Sequence, residues 1–137
     1  MRALLIALGF AHLLTGPVAF FAPHFFYDTL PGLSMMGPFN LHFIRDVGIA
    51  FAASGGAVVY GAVRHNRHVA IAGSVWPFLH ALFHIEIEVA RGLPMDVIMR
   101  FNVLAVITPG LAVMALSWRL SEAVSYTHLT LPTTPYV

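Results

Sequence analysis

Residues 43–89 read FIRDVGIAFAASGGAVVYGAVRHNRHVAIAGSVWPFLHALFHIEIEV, two apolar runs held apart only by Arg64-His65-Asn66-Arg67-His68. Each run, Phe43 to Val63 and Val69 to Val89, is long enough at about 1.5 Å per residue to cross a hydrocarbon layer about 30 Å thick. So short a connection makes the two helices antiparallel neighbours. On either side, Ala3 to Phe21 and Val97 to Leu120 repeat the pattern. The chain therefore predicts an all-α fold, a four-helix transmembrane bundle running up-down-up-down, with one domain over 1–123.

Composition points the same way. Hydrophobic residues make up 58% and charged ones 9%, where a soluble domain carries about 25% charge. A net charge of +1 with no clustered basic face excludes a nucleic-acid binder. The absence of cysteine removes disulfides, thiol redox chemistry and thiolate metal sites.

The first run has the charged start of a secretory signal. It reads as a retained helix, because the apolar stretch continues past Pro17 through Phe20 and Phe21 with no Ala-x-Ala site. Between the first two spans, Pro23, Pro31, Gly32, Gly37 and Pro38 predict irregular backbone, with Phe25, Phe26 and Tyr27 at the lipid headgroup level. Arg2, Arg64, Arg67 and Arg119 fall on one side and Arg91 on the other. The positive-inside rule then puts both termini in the cytoplasm. Residues 124–134, VSYTHLTLPTT, resemble translated sequencing-adapter read-through. On that reading 124–137 are a non-native tail, and His128 carries no function.

Histidine outnumbers arginine in this chain, and its placement is the main functional signal. Counted from the span centres, Arg45, Asp46, His84, Glu88, Arg100 and Asn102 share one layer on the outer side, with His42 capping it nearer the surface and His80 and His12 near the middle. His80, His84 and Glu88 are spaced i, i+4, i+8, one stripe of the third helix that also holds Trp76 and Arg91. His42 and Asp46 repeat the i, i+4 spacing on the second. Depth pairs Asp46 with His84 and Arg45 with Glu88, Arg100 competing for either acid.

Two function classes follow. In the first, an outward-facing pocket of His42, Arg45, Asp46, His80, His84, Glu88 and Arg100 binds a metal or a small polar or redox ligand. His80 and His84 have the spacing of a helical metal pair, with Glu88 as third ligand, and His12 with His80 offers a haem pair. Ala81 stands where a zincin has its glutamate, which disfavours metalloprotease chemistry. In the second class, a structural or accessory subunit, the two arginines and two acids neutralise one another and only hold the helices together. Gly48, Ser54, Gly55, Gly56 and Gly61 then form a small-residue surface on helix two for a membrane partner or a second copy. Pro77 and Pro109 predict kinks in helices three and four. Ser54 and Ser74 have no His and carboxylate at matching depth, which argues against nucleophilic catalysis.

The runs Phe39-Asn40-Leu41-His42-Phe43-Ile44-Arg45-Asp46-Val47-Gly48 and Trp76-Pro77-Phe78-Leu79-His80-Ala81-Leu82-Phe83-His84 resemble those of small bacterial four-helix membrane proteins of unknown function. In size and topology these are similar to the DoxX-like group. The resemblance covers about residues 1–120 and implies a protein of the bacterial inner membrane. It transfers no reaction.

Overall fold

Three side chains start the long helices that follow the first. Asn40 accepts the Phe43 N–H at 3.1 Å and Asn66 that of Val69 at 3.1 Å. Asp96 accepts the Met99 N–H at 2.9 Å. Each occupies one of the donors a helix start leaves free. The computed structural model describes residues 1–122; the predicted tail, 124–137 with His128, lies outside them. Its elements are α1 (Arg2–Phe21), α2 (Pro23–Thr29), a 3₁₀ turn (Leu33–Met35), α3 (Leu41–Val63), α4 (Arg67–Ala90), α5 (Val97–Phe101), a π-helical stretch (Asn102–Ile107) and α6 (Thr108–Trp118). The described residues hold no strand. Four helices, α1, α3, α4 and the continuous span Val97–Trp118, are long and apolar enough to cross a membrane.

Small residues set which helices touch. A side chain at Gly16 would strike Ala52 and the Gly48 carbonyl, and one at Gly9 would strike Val58 and Val59, so α1 lies on α3. Gly61 meets Ala70 and Gly73 meets Ala57 and Ser54, seating α3 on α4. Gly110 lies against the Pro77 carbonyl and Ala81, and the Ser74 and Ser117 hydroxyls meet at 2.7 Å, seating α4 on the fourth span. In each pair residue numbers rise on one helix as they fall on the other. Gly48, Gly55 and Gly61 are thus in use within the chain. At the end carrying the α3–α4 link, Leu5, Val58, Ala62, Ala70, Val113 and Leu120 form one core. At the opposite end, Ala19, Phe26 and Ile44 form a second beneath Tyr27, Leu30, Leu33 and Phe39.

One expectation changes. The segment predicted as irregular contains α2 and a 3₁₀ turn, because Pro23 occupies the first helical position, where a missing N–H costs nothing. Helix α4 runs unbroken through Pro77. That proline cannot bond the Gly73 carbonyl, and the Ser54 hydroxyl donates to it instead at 2.9 Å. Ahead of Pro109 the helix widens to π form, the Thr108 N–H reaching back to the Val103 carbonyl.

Candidate functional site

The stripe of α4 ends in a closed ionic cluster. Glu88 is 2% exposed. Its carboxylate accepts from Arg91 Nη1 at 2.8 and 3.1 Å and from Asn102 Nδ2 at 2.5 Å. The other arm of Arg91 donates to Asp96. One guanidinium so joins the end of α4, the 91–96 connection and, through Glu88 and Asn102, the π stretch. Beyond the helix end, hydrogen bonding to Asp96 first, then both acids, raises the Arg91 pKa. The Met99 N–H first, then Arg91, holds the Asp96 carboxyl below the usual carboxylate range. A depressed carboxyl adds stability above its ordinary pKa and loses it as pH falls through the lowered value. Asp96→Asn is expected to lower the unfolding midpoint in detergent at neutral pH and to match the unaltered chain at the acid end. Equal midpoints at pH 7 would remove Asp96 from the clamp.

Next to this cluster lies a row of rings. His84 and His80 approach to 4.6 Å between centroids, edge to face. His80 stacks on Trp76 at 4.8 Å with 14° between planes. Phe51 of α3 touches Trp76 at 4.6 Å and both His80 and His12 at 5.9 Å. The His12 Nδ1 bonds the Leu8 carbonyl at 2.8 Å, which fixes its tautomer and leaves Nε2 as the acceptor. Asn102 and Glu88 stand beside His84, yet its Nδ1 is buried with no hydrogen-bond partner among the described residues. Helix α1 packs on α6. The three imidazoles are half-buried.

Of the seven residues the sequence singles out, His80, His84 and Glu88 lie along one stripe of α4, and only the rings of His80 and His84 meet. The other four are exposed. His42 and Asp46 pair with each other at 3.1 Å, with side chains 87% and 58% exposed. Arg45 donates to the Phe20 carbonyl at 3.2 Å and covers the Phe20 ring at 5.3 Å. Arg100 reaches the Met95 carbonyl at 3.3 Å. The expected pairs Asp46–His84 and Arg45–Glu88 are absent among the described residues. The cause is rotation: buried Ile44 and Gly48 face inward, and residue 46, about 200° from each, faces out. The ligand set His80, His84 and Glu88 does not assemble either, because Arg91 and Asn102 occupy the carboxylate. No group of three or more His, Asp or Glu among the described residues could hold a metal ion.

Sequence reasoning sets Asn102 level with Glu88, which it bonds, without assigning it a partner, and leaves Arg91 outside the network. The Glu88–Arg91 spacing of i, i+3 was the signal for the second. Phe51 had none, being one apolar residue among many. Comparison with protein families, curated proteins and solved structures gave no match to this chain.

Proposed function

We propose that this chain is a multi-pass protein of the bacterial inner membrane, an up-down-up-down four-helix bundle with both termini cytoplasmic, that binds a small polar or redox-active ligand at His80 and His84. Four apolar helices of 20 to 24 residues support the membrane reading. Arg2, Arg64, Arg67 and Arg119 at the link end, against Arg91 at the other, support the orientation.

The observation that carries the site is the buried, unpartnered Nδ1 of His84. An imidazole nitrogen left without a partner costs about 1–3 kcal/mol, which a ligand donor or acceptor recovers. Trp76 stacks on His80 and Phe51 meets both rings at steep angles, so His84 ends an aromatic row. The test is solvent extraction and mass spectrometry of the detergent-purified full chain. A small molecule is expected to co-purify with the unaltered protein and to be lost, about tenfold or more, in His84→Ala with little change in melting. Equal recovery from both, or nothing from either, would overturn the site.

A second reading applies to the charges alone. The set Glu88, Arg91, Asn102 and Asp96 is complete without a ligand, which favours a structural role for it and a binding role only for the histidines.

A further inference from the structure

We infer that the chain self-associates head to tail in the bilayer, the groove between α3 and α4 of one copy receiving the outward face of Val97–Trp118 of the next. The inference rests on the membrane reading above.

Charges supply the first argument. Counted from the span midpoints, Asp46 lies about 9 Å from the middle, and Glu86 and Arg100 about 11 Å, all toward the α2 end. All three are exposed. Asp46 has only His42, Arg100 has only its own Met95 carbonyl, and Glu86 has no hydrogen bond or ion pair among the described residues. A charge facing lipid costs about 2.5–3.5 kcal/mol at the bilayer centre and less at this depth, so a neighbour that pairs it is favoured. Arg45, by contrast, is already engaged by Phe20.

The arrangement of signs selects the partner. Asp46 continues as Ala50, Ala53 and Ala57 along one stripe of α3. Glu86 shares the face of Ala72 on α4. Both acids therefore stand beyond the α2-side end of one groove, and Arg100 stands on a different helix. A two-fold pairing of this face with itself would set acid against acid. A heterologous contact sets Arg100 against Asp46 and Glu86, and repeated it builds a ring where the rotation closes or an open row where it does not.

Shape agrees. The groove has a volume of about 460 Å³ and is lined by Ala50, Ala53, Ala57, Ala72, Gly73 and Trp76. Small residues of this kind let a membrane helix approach closely. On the fourth span, Leu104, one turn on from Arg100, is 74% exposed, and Leu111 is 37% exposed. That span is also the least covered of the four, 17% of its apolar window buried against 28–33% for the others.

The chain has no cysteine, so paired substitutions report directly. Ala50→Cys combined with Leu104→Cys in the full chain, oxidised in native membranes, is expected to give a ladder of dimers and larger species. Each single substitution alone is expected to stay monomeric. Adding Arg100→Glu should cut the ladder about tenfold, and adding Asp46→Arg to that should restore it. Monomers throughout, or cross-linking by Ala50→Cys alone as strong as by the pair, would overturn the contact. An alkaline carbonate wash separates the two levels. A chain that resists the wash without cross-linking defeats only this inference; a chain that is extracted defeats the membrane reading and this inference together.

Discussion

Glu88→Ala is expected to destabilise the protein by about 1–3 kcal/mol, the usual cost of leaving a buried polar group without its partner. The carboxylate is 2% exposed and takes three hydrogen bonds from two side chains. Its removal leaves Asn102, 4% exposed, with no acceptor, and Arg91 with Asp96 alone. Asn102 begins the π stretch, so the loss falls on the contact that ties the fourth span to α4. Glu88→Gln keeps an oxygen for Arg91 and Asn102 and loses only the charge, so it is expected to cost less than half as much. Asp46→Asn, at an exposed site whose one neighbour is His42, is expected to change the stability of the monomer by less than about 1 kcal/mol. Thermal or SDS unfolding in mild detergent gives all three values. The clamp is disproved if Glu88→Ala and Asp46→Asn prove equally mild.

That contrast marks what the sequence reveals and what it withholds. Apolar length is a local property, and the spans read from it, 3–21, 43–63, 69–89 and 97–120, lie within two residues of the helix ends observed. Depth is also local, because rise per residue is fixed once a helix is granted. Glu88 and Asn102, placed in one layer by that count, do meet. Rotation is different, since it depends on which neighbour each helix meets. Gly48 and Gly55 seat α3 against α1, and that contact turns Asp46 away from His84. Nothing within α3 distinguishes this from a rotation that would place Asp46 inside. The partner of Glu88 was set by chain proximity: Arg91, three residues on, reaches it with no long loop to close, where Arg45 would need a specific helix–helix rotation. The helical content of 22–40 was hidden by its prolines and glycines, which signal turns as readily as the first turn of a short helix.

Gly55 and Gly56 give the sharpest test of the packing, because adjacent residues should behave oppositely. A Cβ at Gly55 would overlap the backbone nitrogen and Cα of Leu13 and the Gly9 carbonyl, atoms that no rotamer change can move. At Gly56 the first neighbour is the flexible end of the Leu13 side chain at 3.9 Å. Gly55→Ala must therefore push α1 and α3 apart. The displacement loosens Ala19 and Ile44, and with them the core at the α2 end. It also shifts Phe51, which links His12 on α1 to His80 on α4. Overpacking typically costs about 1–3 kcal/mol, and a clash with backbone sits at the upper end or beyond. Gly56→Ala carries only the helix-propensity difference, a gain of up to about 1 kcal/mol. In detergent the midpoint should fall sharply for Gly55→Ala and hold or rise for Gly56→Ala. Gly55→Ala should also weaken any ligand retained at the histidines, because Phe51 packs against His80 there. If the two variants melt together, α1 does not sit in the Gly48–Gly55 groove, and the inward rotation of α3, with its outward Asp46, falls with it.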